Sequence, residues 1–134
     1  MRVGIVNVTG YGGIEVARLL AGHPQAEIVQ VTGRSAAGQR LSQVFPHMAP
    51  IDRPIASELS EKVDVAFLAL PHRASAEAAL PLLEAGVKVI DLSADFRLKD
   101  AAVYQQWYEH EHPAPDLLAE AVAGVDLYME GQAQ

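Results

Sequence analysis

The chain has 134 residues, a formal charge of −7 at pH 7, 50% apolar residues and no cysteine. A chain near this size folds as one domain; one of about 150 residues buries roughly 68–70% of its unfolded surface. No run approaches the roughly 20 apolar residues that span a bilayer. The missing cysteines exclude a disulfide scaffold, thiolate zinc sites and a thiol nucleophile from this chain. Charge is unevenly placed: residues 1–57 set five arginines against Glu15, Glu27 and Asp52, a balance of +2, and residues 58–134 set five Lys or Arg against fourteen acids, a balance of −9. An acidic chain with no basic stripe is poorly suited to nucleic acid or an anionic membrane. Its locally basic N-terminal half is compatible with a small phosphorylated ligand.

Val3–Val8 reads as a short apolar strand of the kind buried on both faces in parallel sheets. The turn Gly10-Tyr11-Gly12-Gly13 follows directly. Ile14–Ala21 reads as a helix, with Val16, Ala17, Leu19 and Leu20 for its buried stripe and Gly22 and Pro24 as stop signals. Glu27–Thr32 is a β-branched strand, which completes strand, turn, helix and strand within about 30 residues, the size of a βαβ unit. Gly33–Glu61 shows little periodicity; a loop is expected, with a short helix near Leu41–Val44 and a strand near Ile55. Val63–Leu70 is the next strand, ended by Pro71. Ala74–Ala85 predicts a helix despite Pro81, with Gly86 as its C-terminal cap. Val87–Leu92 is a further strand. Asp100–Glu111 predicts a helix bounded by Pro113 and Pro115. Leu117–Ala121 predicts a short helix and Val122–Val125 a last strand. Strands alternating with helices imply an α/β, Rossmann-like, doubly wound and mainly parallel sheet in one domain spanning residues 1–134.

Two places carry chemistry. A pyrophosphate needs backbone N–H groups at a helix N-terminus and little side-chain bulk in the way. Thr9, Gly10, Tyr11, Gly12 and Gly13 supply such a turn between a strand and a helix. In the spacing G-x-x-G-x-x-G, Gly10 and Gly13 hold two glycine positions and Asn7 takes the first. Asparagine accepts left-handed backbone angles better than most residues. The competing reading is a tight turn whose glycines only let strand and helix pack. The second place is the end of the second strand. Selection of NAD usually sets an acid there, roughly 20 residues past the turn, against the ribose 2′-OH. Residues 28–36 contain no Asp or Glu, and Arg34 and Ser35 stand at the tip. A guanidinium and a hydroxyl suit a 2′-phosphate, which favours NADP(H) over NAD(H). The competing reading is a solvated loop arginine.

These stretches resemble the opening of the N-acetyl-γ-glutamyl-phosphate reductase family. The likeness rests on residues 3–13 with Glu15, Leu19-Leu20 and His23-Pro24. It extends through Thr32–Gly38, Phe67-Leu68-Ala69-Leu70-Pro71-His72, Val89–Leu98, Trp107-Tyr108 and Glu111-His112-Pro113. The lysine-pathway aminoadipyl-phosphate reductase shares these motifs, and aspartate-semialdehyde dehydrogenase does so more distantly. The resemblance implies a cytoplasmic, NADPH-dependent reduction of an acyl phosphate to an aldehyde in arginine biosynthesis. In that chemistry a cysteine thiolate attacks the acyl group, with a histidine as acid/base. Both belong to a second domain inserted after the region corresponding to Val122–Gln134. The chain is therefore expected to be the cofactor-binding part, binding NADP(H) without turnover by itself.

By the same resemblance, Gly10–Gly13 lie along the pyrophosphate and Arg34, Ser35 and Ala36 surround the 2′-phosphate. Leu70, Pro71 and His72 flank the ribose or nicotinamide. Ser93, Asp95 and Arg97 lie near the active site, although Ser93 and Asp95 can equally cap a turn and Arg97 can pair with an acid. His110 and His112 do not share a helix face, so no metal site is expected there. Tyr104, Trp107 and Tyr108 read as packing residues or as a surface toward the further domain. A homo-oligomer is compatible with the chain. A non-catalytic cofactor-binding or regulatory protein remains the alternative from another class.

Overall fold

Val3, Gly4 and Ile5 are all buried, so neither face of their strand meets solvent. That strand is the centre of the sheet. The computed structural model describes residues 1–71, 73–93, 102 and 115–117. Five strands appear among them: β1 (Arg2–Val6), β2 (Glu27–Thr32), β3 (Ile55–Ala56), β4 (Val65–Leu68) and β5 (Lys88–Asp91). They form one sheet of order β3-β2-β1-β4-β5, and every neighbouring pair is parallel. Ile5 sits opposite Val31 on one side and Phe67 on the other. Three helices join the strands: α1 (Tyr11–Ala21), α2 (Leu41–Val44) and α3 (Ala74–Glu84). This is the doubly wound order in which the connections from β1 and β4 run in opposite directions along the sheet.

Within the described residues the expected elements are present, most of them with shifted edges. β1 ends at Val6 rather than Val8, because Asn7 takes φ 65° and turns the chain. Val8 stays fully buried, and its N–H donates to the Thr32 carbonyl at 2.8 Å. α1 begins at Tyr11, three residues before the expected Ile14, so Gly12 and Gly13 belong to its first turn. First-turn N–H groups need no intrahelical acceptor, and that position tolerates glycine. The expected strand over Val63–Leu70 narrows to β4, and Val87–Leu92 narrows to β5. α3 runs through Pro81 to Glu84, and Gly86 follows its cap with φ 79°. The segment after β2 is more ordered than its prolines suggest. It holds a 3-10 turn over Arg34–Ala36, α2, and a 3-10 stretch over Pro46–Ile51. Apart from Ala102 and Leu117, the residues of the helix expected over Asp100–Glu111, the short helix over Leu117–Ala121 and the strand over Val122–Val125 lie outside the described residues. Pro115–Leu117 forms a 3-10 turn.

The main apolar core comes from the first 55 residues. Val3, Ile5, Val8, Val16, Ala17, Ile28, Val31, Leu41, Met48 and Ile55 pack together, with Phe67 of β4 against them. Among the described residues no helix is long and apolar enough to cross a membrane.

Candidate functional site

In an open parallel sheet, ligands gather beyond the C-terminal strand ends where the winding reverses, here between β1 and β4. The β1–α1 turn lies at that end. Gly10 is the N-cap of α1, no side chain caps the helix, and its first turn holds no acid. The first N–H to find an acceptor is that of Ile14, donating to the Gly10 carbonyl at 3.0 Å. Among the described residues the amides of Tyr11, Gly12 and Gly13 thus keep the unpaired, positive character of a helix start. Glu15, the nearest following acid, is held by Arg18 one turn on. The Arg18 guanidinium also holds the Glu15 carboxyl below the usual carboxylate range. Glu15 is thereby offset by Arg18 as a charge that would oppose an anion at the turn.

The glycines differ in purpose. A Cβ on Gly12 would meet nothing within 4 Å, and one on Gly10 would make only ordinary contacts. A Cβ on Gly13 would lie 2.3 Å from the Asn7 carbonyl oxygen and 2.7 Å from the Val8 Cα. Gly12 therefore leaves open space beside uncapped amides, and Gly13 lets helix and strand touch. The packing reading of the turn accounts for Gly13, whereas Gly12 has no packing neighbour to explain it. The Tyr11 ring stands 98% exposed beside them. These features fit a diphosphate bridge: among the described residues the donors have no partner, there is room for its oxygens, and the nearest following carboxylate, Glu15, is paired with Arg18.

Arg34 and Ser35 occupy the 3-10 turn at the end of β2, both exposed, while Ala36 is buried beneath them. Among the described residues no carboxylate forms an ion pair with Arg34. The two loops are in contact. A Cβ on Gly33 would approach the Thr9 methyl carbon at 3.2 Å and its hydroxyl oxygen at 3.3 Å, so Thr9 packs against the start of the Arg34 turn. Thr9 is thus placed to set the spacing between turn and arginine.

Leu70 and Pro71 follow β4, across the crevice from the glycine turn. The turn and this loop are joined by Asn7, whose Nδ2 donates to the Ala69 carbonyl at 2.9 Å. His72, Asp95 and Arg97 lie outside the described residues. Ser93 is placed beyond β5, where its N–H and hydroxyl each donate to Asp91 at 2.8 Å. The cap of this turn is thus Asp91, with Ser93 as its donor. Asp91 also accepts from Ser75 Oγ at 2.6 Å, and Ser75 is fully buried in the first turn of α3. Asp91 and Ser75 were not singled out from sequence, although an Asp two residues before a Ser is the usual pattern of an Asx turn. An open depression of about 370 Å³ borders Leu20, Glu27 and Arg53. It lies at the N-terminal end of β2, away from the crevice, and has no share in this site.

The sheet order and the crevice define a dinucleotide-binding α/β domain. Residues 2–125 match the family described as semialdehyde dehydrogenase, NAD binding domain, and the chain belongs to that family of oxidoreductase domains. A curated N-acetyl-gamma-glutamyl-phosphate reductase of Dehalococcoides mccartyi is 58% identical over 124 residues, covering 92% of this chain and 36% of that protein. One of Symbiobacterium thermophilum with the same name is 46% identical over 135 residues, 97% of this chain and 39% of that protein. The chain thus spans little more than a third of the curated relatives it matches. The fold is similar to that of aspartate semialdehyde dehydrogenase of Candida albicans, solved with NADP. The TM-score is 0.63 at 22% identity, over 75% of this chain and 31% of that one.

Proposed function

We propose that this chain is the cofactor-binding part of an N-acetyl-γ-glutamyl-phosphate reductase and that its crevice takes NADP(H). The observation that carries the reading is the pairing of two features at one sheet end. The α1 N-terminus is uncapped and opened by Gly12, and Arg34 projects from the neighbouring strand end without an ion pair among the described residues. The amides of Tyr11, Gly12 and Gly13 hold the diphosphate, and Arg34 with Ser35 holds the 2′-phosphate through charge-assisted hydrogen bonds. Leu70, Pro71 and His72 border the ribose and nicotinamide. The bound cofactor supplies the hydride that turns an acyl group into an aldehyde. This chain's residues bind and orient it; with no cysteine, they bring no thiol nucleophile of their own. The chain therefore binds without turning over. The shared name of the relatives favours the arginine-pathway substrate over aminoadipyl phosphate.

Calorimetric titration tests this. NADPH binds more tightly than NADH, and Arg34→Asp removes most of the difference by setting like charge beside the 2′-phosphate. One charge-assisted contact is worth about 1.5–3 kcal/mol, so the preference falls by roughly ten- to a hundredfold. Equal affinity of the wild-type chain for both cofactors overturns the assignment of Arg34.

A further inference from the structure

Asn7 is the residue whose chemistry exceeds what its turn requires. Its φ of 65° lies in the left-handed region, where glycine costs least and asparagine is the usual substitute. Glycine alone would satisfy the backbone. Asparagine adds an amide, and that amide is used: Nδ2 donates to the Ala69 carbonyl at 2.9 Å, a contact between residues 62 positions apart. The bond crosses between β1 and β4, where the winding reverses. Just inside it, the Ala69 N–H donates to the Val6 carbonyl at 3.0 Å, the last rung joining the two strands. Just beyond it, β1 leads into the glycine turn and β4 into Leu70-Pro71. On the other flank the Asn7 N–H reaches Thr32 Oγ1 at 3.4 Å, and the Asn7 carbonyl lies where Gly13 alone leaves room.

We infer that Asn7 is a positioning residue, a latch that closes the rim of the crevice and holds the Ala69-Leu70-Pro71 loop at a fixed distance from the glycine turn. The inference rests on the cofactor reading above and extends it. The turn serves the diphosphate and the loop serves the nicotinamide half, so the latch sets how the two halves of one dinucleotide are gripped together. A ligand that touches only the turn and Arg34 does not need it. Without the amide the loop samples positions away from the rim, and binding of the whole dinucleotide must select the closed one.

Two measurements on the 134-residue chain test this. Asn7→Gly keeps the backbone angle without strain and deletes only the amide. Its Kd for NADPH rises about three- to tenfold, the range of one hydrogen bond. Its Kd for adenosine 2′,5′-bisphosphate, which lacks the nicotinamide half, moves less than about twofold. Equal weakening of both ligands, or no change in either, overturns the latch. If the wild-type chain binds neither, the cofactor reading falls and the inference falls with it. The second measurement needs no ligand. In Asn7→Gly and in Asn7→Asp, which keeps the shape but has no donor, amide exchange at Ala69 accelerates. Val8, bonded to Thr32, keeps its protection. Unchanged exchange at Ala69 in both variants overturns the latch whatever the cofactor does.

Discussion

The two halves of the sheet are held by different means. On the β1-α1-β2-β3 side, Val3, Ile5, Val8, Val31, Leu41 and Ile55 are essentially or completely buried. On the β4-α3-β5 side, the described residues bury mainly Val63, Val65, Leu68 and three alanines, Ala66, Ala76 and Ala79; Leu83, Ile90 and Leu92 stay at least 40% exposed. The first half is fixed by side-chain volume. The second depends more on close approach of α3 to its strands, which small residues permit, and on the hydrogen bonds from Ser75 and Ser93 to Asp91. For the site this means that the loops assigned to the diphosphate and 2′-phosphate stand on the heavily packed side. The loop after β4 reaches that side through the last strand rung and Asn7.

The sharpest way to break this contrast is to remove volume from each half. Leu41 is fully buried among the core residues of the first half. Leu41→Ala leaves a cavity and costs about 3 kcal/mol. Leu83 on α3 is 40% exposed, and Leu83→Ala costs less than about 1 kcal/mol. Urea denaturation of both variants decides the matter. Similar losses would mean that the second half is held by volume too.

The glycine turn offers a finer test, because two adjacent residues have opposite surroundings. Gly13→Ala drives a methyl to within 2.3 Å of the Asn7 oxygen and 2.7 Å of the Val8 Cα, both backbone atoms. The strand or helix must shift, at about 2 kcal/mol. Gly12→Ala meets nothing within 4 Å and gains up to about 0.5 kcal/mol from the lost glycine freedom. On the proposed function its methyl occupies ligand space, so this variant is as stable as wild type and binds NADPH more weakly. Thermal unfolding and titration read the two effects separately. A destabilised Gly12→Ala would show the open space to be needed by the fold.

Much of this was legible in the chain. Glu27–Thr32 and Leu41–Val44 form the elements their patterns predict, since β-branched density and a short apolar pair are local signals. The tolerance of Asn7 for a left-handed angle and the place of Arg34 at the end of β2 also follow from local chemistry. The start of α1 does not, because low helix propensity in glycine hides a first turn that needs no intrahelical acceptors. Nor does the 3-10 stretch at Pro46–Ile51. There the chain is tied by Asp52, which joins Arg40 across 12 residues and accepts from the Ser42 N–H. The Asn7–Ala69 bond and the Ser75–Asp91 bond were hidden for the same reason. Each depends on which elements become neighbours, and no short window of sequence contains that.

Asp52 gives the smallest and most specific effect. Arg40 donates to its carboxylate at 2.6 Å and the Ser42 N–H at 2.9 Å. These donors hold its pKa down from an ordinary 3.8 to about 2, Arg40 first and Ser42 second. A carboxyl whose folded pKa is depressed stabilises the fold above its unfolded value. That contribution is lost as pH falls from about 3.8 toward 2. Glu15 is shifted the same way by Arg18, so the total acid response of the chain does not isolate Asp52. The difference between wild type and Asp52→Asn does. Their urea midpoints are furthest apart near pH 5 and converge as the pH drops through this window, because protonation removes from the wild type what the substitution has already removed. Raised salt shrinks the gap at pH 5, since the Arg40 side chain is half exposed and its attraction is screened. A gap that stays constant from pH 5 to pH 2.5 would mean that the tie between α2 and the 3-10 stretch rests on hydrogen-bond geometry that asparagine also disturbs, and not on the charge of Asp52.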